Sequence, residues 1–282
     1  MAPDVRIVAL DLDGTLLDSS KTLSAANLAA LESAAEKGVL VVPTTGRFFG
    51  MMPERVRELP FVRYAITVNG AQVYDRAADA ALVREELPLE TALGIMRMLD
   101  RYDVIYDCYR GNWGWMAESF KAKAAGYATD AHYLKMIAGF RKGVPELKAH
   151  LEATAQEGDV QKIMLFTRLD GDAATAKEIA GEVAAAFPDV KVTSSTWNNL
   201  EINAATAHKG MALRRLAEAL GLTLENCMAF GDGMNDLTMI EAAGVGVAMA
   251  NACPAVLAAA DHVTLSNDED GVAAALRHFS LA

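Results

Sequence analysis

The chain has 282 residues, with 37 acidic side chains against 26 basic ones and a formal net charge of −11 at pH 7. That balance disfavours a nucleic-acid backbone as the main partner. It leaves a phosphorylated small molecule open, because a bound metal and a few local cations reverse the sign of a single cleft.

The N-terminal apolar run at 5–10 is too short for an export signal, and the apolar stretch at 245–260 is broken by Asn251 and Pro254. Cys108, Cys227 and Cys253 are scattered and read as reduced core thiols. A cytoplasmic protein with no membrane partner is expected.

In chain order, the run at 5–10 has the pattern of a buried parallel strand and delivers Asp11 and Asp13 onto a Gly14-Thr15 turn. A helix is predicted over 24–38, with Ser24 as N-cap and Gly38 as a left-handed stop. A strand at 39–43 leads into Thr44-Thr45-Gly46-Arg47. A helix follows, and a third strand at 64–68 ends at Asn69-Gly70, a favoured hairpin turn. This alternation implies parallel pairing in a doubly wound sheet.

From about 83 to 193 the rhythm is less regular. Helices are predicted at 89–101, 145–157 and 173–187, and strands at 104–109, 113–117, 161–168 and 190–194, as in a separate α+β layer. Trp113 and Trp115 fall on one face of their strand, and packing of these indoles, with Tyr106 and Tyr109, against a helix is favoured over stacking on a ligand. Met96 and Met98 read as core filler, and Lys121, Lys123, Lys135, Arg141 and Lys142 as a solvated basic face. After a strand at 200–203 the α/β rhythm returns, with a helix at 209–221 and a strand at 227–230 entering Gly-Asp-Gly-Met-Asn-Asp at 231–236. A further helix, a short strand at 245–248 and a C-terminal helix follow. The expected organisation is an α/β core, a doubly wound parallel sheet made from 1–82 and 195–282, with an inserted α+β domain at 83–194.

The candidate site residues sit in DLDGT (11–15), TTGR (44–47), HKG (208–210) and GDGMND (231–236). Strand ends of a parallel sheet share one edge, so these segments are expected to meet. Asp11, Asp13 and Asp232, with no His or Cys nearby, suit an octahedral oxygen site and hence Mg²⁺ rather than zinc. The Thr45 hydroxyl suits a phosphate oxygen. Lys209 places a positive charge at a helix start, which is unfavourable unless an anion is near. Each also has a plainer reading: Thr45, Asn235 and Asp236 as helix caps, Arg47 in an ion pair, Lys209 as a surface lysine, His208 as a packed or solvated histidine.

Taken together, DLDGT, TTGR, NGA (69–71), KG and GDGMND resemble the haloacid dehalogenase superfamily, in particular its Cof-type sugar-phosphatase branch. The resemblance covers the core at both ends of the chain. It implies a Rossmann-like core with Asp11 as nucleophile forming an aspartyl-phosphate and Asp13 as acid and base. It implies Thr45, Gly46, Arg47, Lys209 and Asn235 around the substrate phosphate, with Asp236 and Asn69 in support. Mg²⁺ would be held by Asp11, the backbone carbonyl of Asp13, and Asp232.

The interval from Thr45 to Lys209 exceeds what a core of this kind needs by roughly 110 residues, which is a domain in its own right. It resembles the family's α/β cap, a substrate-specificity domain. The expected substrate is a small-molecule phosphate ester such as a sugar phosphate. A phosphomutase and a non-catalytic phosphoacceptor or ligand sensor are the alternatives, and Asp13 argues against the sensor, since a stable phospho-signal gains nothing from a built-in acid/base.

Overall fold

The computed structural model describes residues 3–129, 131–194 and 196–282. The chain opens with β1 (Ile7–Asp11), β2 (Leu40–Thr44), β3 (Tyr64–Thr67), β4 (Gln72–Asp75) and β5 (Ala80–Arg84). It continues through β6 (Val104–Arg110), β7 (Trp113–Ala117), β8 (Arg141–Val144), β9 (Lys162–Thr167), β10 (Val190–Thr193) and β11 (Asn199–Ala204). It closes with β12 (Cys227–Gly231), β13 (Val245–Ala248) and β14 (His262–Val263). The described residues divide into two compact units, one running to Arg84 and resuming at Ala207, the other Glu85–Thr206.

The first unit is built on an eight-stranded sheet in the order β14-β13-β12-β1-β2-β3-β4-β5. From β14 to β3 the pairing is parallel, and β4 and β5 add an antiparallel edge. Strand β1 is apolar until its last residue because both of its faces are buried. Val8 and Leu10 pack towards Leu31 and Ala34 of the helix Ala25–Glu36 and towards Val272 and Leu276 near the C-terminus. Ile7 and Ala9 pack in the opposite cluster, with Leu213 and Leu216 of the helix Lys209–Ala219. Ser24 caps the first helix by accepting from Asn27 N at 3.1 Å, and Gly38 follows it at φ 83°.

The second unit carries a six-stranded sheet in the order β10-β11-β9-β6-β7-β8, antiparallel except for the β7–β8 pair. Strand β11 belongs to this sheet, between β9 and β10, whereas the expected boundary at 195 assigned it to the core. The pattern of a short strand carries no information about which sheet receives it. The antiparallel edge β4–β5 and the helix Ala131–Phe140 were likewise not expected.

The basic segment is not uniformly solvated. Arg141 is fully buried, 2.9 Å from the equally buried Asp107, and donates to Tyr109 Oη at 2.8 Å. Burial is tolerable here because the counter-charge lies on the adjoining part of the sheet. Lys142 instead lies over Trp113 at 3.5 Å and Trp115 at 5.1 Å, and Trp115 packs on His150 at 4.4 Å. Met96 is fully buried, as a core filler should be, while Met98 on the same helix is only partly buried. All three cysteines are free. Among the described residues no helix is long and apolar enough to cross a membrane.

Candidate active site

The parallel sheet of the first unit brings the ends of β1, β2 and β12 to one edge. Asp11 is the last residue of β1, paired with Thr44 at the end of β2, while Asp232 follows directly on β12. The turn after β1 must pass close to Asp232. A side chain at Gly14, where φ is +90°, would place its Cβ 2.5 Å from Asp232 Oδ2, so only glycine fits without displacement. Thr15 then donates to Asp232 Oδ1 at 2.8 Å. Asn251 donates to the Gly14 carbonyl at 2.8 Å and holds the turn from the other side.

Lys209 opens its helix fully buried, with Nζ 2.5 Å from Asp11 Oδ1 and 2.5 Å from Asp236 Oδ1. The anion that its position calls for is therefore present twice. Asp236 also accepts from Asp232 N at 3.0 Å and Gly233 N at 2.9 Å. Its side chain makes no capping bond to the helix Leu237–Ala242, so the capping alternative gives way to a bracing role between Lys209 and the 231–236 loop. His208 caps the Lys209 helix, with Nδ1 accepting from Met211 N at 3.1 Å.

Asp11, Asp232 and Asp236 each offer a carboxylate oxygen within 4.8 Å of the others. Three carboxylates against one ammonium leave an excess of negative charge in a buried place. Burial drives the Asp11 carboxyl up to about 8; Lys209 opposes this, while Asp236 and Asp232 add to it. Burial also raises Asp232, against the Thr15 hydrogen bond. Lys209 is held above its ordinary value, because the charges of Asp11 and Asp236 outweigh the effect of burial.

The Asp13 carboxylate lies in a different environment. Its Oδ2 accepts from Arg47 Nη2 at 2.7 Å and Nε at 3.2 Å, and its Oδ1 lies 3.0 Å from Lys21 Nζ. Burial works to raise this carboxyl, but the charge of Arg47 and the contacts from Lys21 and Arg47 prevail and hold it below the usual carboxylate range. Arg47 is thus placed on Asp13 in an ion pair, one of the two readings open from sequence.

Thr45 is buried at the end of β2, where its N–H donates to Ile66 O at 2.9 Å and its Oγ1 accepts from Arg47 N at 3.3 Å. Asn69, left-handed at φ 57° in the turn between β3 and β4, donates its N–H to Thr45 O at 3.0 Å. A Cβ at Gly46 would come within 2.8 Å of Asn69 Oδ1, which explains the glycine. Asn235 is exposed and reaches Asn69 Oδ1 at 3.5 Å. All the segments singled out in the sequence therefore come together. Lys21 and Asn251 were not anticipated: their partners are distant or across a turn, and no local pattern marks them.

Residues 8–276 match the haloacid dehalogenase-like hydrolase family. The chain belongs to the haloacid dehalogenase-like hydrolases. Among relatives of this haloacid dehalogenase-like chain is 5-amino-6-(5-phospho-D-ribitylamino)uracil phosphatase YcsE of Bacillus subtilis. It is 32% identical over 279 residues, which is 99% of this chain and 97% of the relative. Pyridoxal phosphate phosphatase YbhA of Escherichia coli is 30% identical over 268 residues, covering 95% of this chain and 96% of that one. A haloacid dehalogenase-like hydrolase from Bacteroides thetaiotaomicron superposes with a TM-score of 0.81 at 27% identity, over 97% of this chain and 99% of that one. With whole-length relatives named as phosphatases, this haloacid dehalogenase-like enzyme is a phosphoric monoester hydrolase.

Proposed function

We infer that the protein is a Mg²⁺-dependent phosphatase that hydrolyses a small-molecule phosphomonoester through an aspartyl-phosphate on Asp11. The observation that carries this reading is the division of labour at the end of β1. Asp11 is gathered with Asp232, Asp236 and Lys209, while Asp13, two residues on, is held by separate cations.

The donor set fits a hard divalent cation: oxygen ligands only, and more buried negative charge than Lys209 offsets. Asp11, Asp232 and the backbone carbonyl of Asp13 would hold the ion; Asp236 lies in the same cluster but is engaged by Lys209 and by backbone N–H groups. When bound, Mg²⁺ supplies charge that lets a carboxylate approach a phosphate dianion.

In the first step an Asp11 oxygen bonds to phosphorus as the bond from phosphorus to the leaving oxygen breaks. Asp13, which Arg47 and Lys21 keep ionised in the free enzyme, takes up a proton from solvent once the negative charge of the substrate is in place, and gives it to that oxygen. In the second step water bonds to phosphorus, Asp13 takes its proton, and the Asp11–phosphorus bond breaks to release inorganic phosphate. Lys209, Thr45, the Gly46 backbone and Asn235 hold the phosphoryl oxygens, and Asp236 and Asn69 keep those groups in place. Recognition of the leaving group is the part of the inserted unit, Glu85–Thr206. The differing substrates in the names of the relatives support a small phosphorylated metabolite such as a sugar phosphate or a phosphorylated heterocycle.

The test is phosphate release from a panel of alkyl phosphates (sugar phosphates, ribitol phosphate and pyridoxal phosphate) together with p-nitrophenyl phosphate. Activity should disappear on exhaustive chelation and return with Mg²⁺. Turnover that survives chelation would overturn the metal assignment.

A further inference from the structure

Asp13 is an aspartate whose two oxygens are held by different cations from different parts of the chain. Arg47, at the end of the β2 loop, commits both Nε and Nη2 to Oδ2. Oδ1 is shut off from solvent and accepts no well-aligned hydrogen bond among the described residues; the ammonium of Lys21 lies 3.0 Å from it.

The Lys21 backbone is left-handed, at φ 61°, a conformation that glycine or asparagine takes at less cost. The turn that imposes it is firmly built. Asp18 Oδ1 accepts from Ser20 N at 2.9 Å and Thr22 N at 2.8 Å, and Lys21 N donates to Asp18 O at 2.9 Å. Ser19 donates from its N–H and hydroxyl to the two oxygens of Asp268, at 2.7 and 2.6 Å. Asn267 Nδ2 donates to Leu17 O at 3.0 Å. The exposed lysine is thus delivered to Asp13 by a segment tied to the far end of the chain.

We propose that Lys21 is a positioning residue for Asp13, fixing the plane of the carboxyl group by holding the oxygen opposite the one that Arg47 holds. The two oxygens of an aspartate turn together about its broad terminal torsion, so a second cation on the opposite oxygen narrows the swing that Arg47 alone permits. The inference rests on the reading of Asp13 as the group that hands its proton to the leaving oxygen as the Asp11–phosphorus bond forms. Misorientation of that group slows the step in proportion to how much the leaving group needs the proton. An alkoxide needs it; p-nitrophenolate departs without it.

The experiment compares wild type, Lys21→Met, Lys21→Arg and Asp13→Asn, each as the full chain with Mg²⁺. The substrates are p-nitrophenyl phosphate and the alkyl phosphate of the panel with the highest kcat/KM. Lys21→Met should lose about tenfold in the single-turnover rate of leaving-group release from the alkyl phosphate and less than about twofold from p-nitrophenyl phosphate, with KM unchanged for both, and Lys21→Arg should recover most of the loss. That rate excludes the later hydrolysis on Asp11, which both substrates share. Equal losses on the two substrates would mean a merely structural role and overturn the proposal. A rise in KM alone would make Lys21 a contact for a substrate anion and overturn it equally. Asp13→Asn separates the levels: if it does not discriminate between the substrates, the acid/base reading of Asp13 falls and the proposal with it. If it discriminates and Lys21→Met does not, only the positioning role falls.

Discussion

Arg47 directs two nitrogens, at 2.7 and 3.2 Å, to a single oxygen of Asp13. A guanidinium fork binds in a fixed plane, which an ammonium cannot reproduce. Arg47→Lys should therefore lower kcat on alkyl phosphates by roughly tenfold or more while the protein stays folded. Steady-state kinetics beside a thermal melt checks this, and an unchanged kcat would remove Arg47 from the account.

Lys209 is the only cation that the structure pairs with Asp11 and Asp236 among the described residues. Lys209→Met would leave buried carboxylates without a counter-charge, a loss of about 3 kcal/mol or more. Metal-free protein should show the fall in Tm most clearly, and activity should drop by at least about 100-fold with Mg²⁺ present. A variant with wild-type turnover would show that Lys209 is structural only.

In the inserted unit, Asp107→Ala should destabilise by roughly 3–5 kcal/mol, because the fully buried Arg141 then loses the carboxylate that balances its charge. The double variant Asp107→Leu with Arg141→Met should recover most of that loss, since apolar side chains of similar size need no pairing. Denaturant unfolding measures both, and equal losses in single and double variants would contradict the reasoning.

His262 stacks on His278 with ring centroids 4.7 Å apart and planes within 15°. Burial, and then the charge of His278, hold the His262 imidazole below its ordinary value. The folded chain thus binds a proton there less readily than the unfolded one. Its contribution to stability is present above about pH 6.5 and is lost as pH falls through the lower folded value. Unfolding midpoints measured at about pH 7.5 and pH 5.5 should drop further in wild type than in His262→Gln. Identical drops would rule out His262 as a source of acid sensitivity.

The site was legible where strand, turn and chemistry coincide in a few residues. Asp11 ends one apolar strand and Asp232 follows another, and the turn expected at Gly14 passes against Asp232, a contact that no local pattern reveals. Lys209 stood out because a cation at a helix start asks for an anion. Whether Arg47 would meet Asp13 or a substrate remained open, since nothing local to the loop decides between two anions. Lys21 was missed for a related reason. Its role depends on a turn pinned by Asp268, and a contact between residues so far apart in sequence has no local signature. Strand β11 shows the same boundary in the fold: its alternation reveals a strand, while its membership of the second sheet is settled by pairing with β9 and β10.

The account stands most directly on covalent chemistry at Asp11. Enzyme mixed with an alkyl phosphate and Mg²⁺ and quenched in acid within a single turnover should carry one phosphoryl group on the peptide containing Asp11, and Asp11→Asn should carry none. Phosphate released at the wild-type rate with no label on that peptide, or a label on another residue, would contradict it.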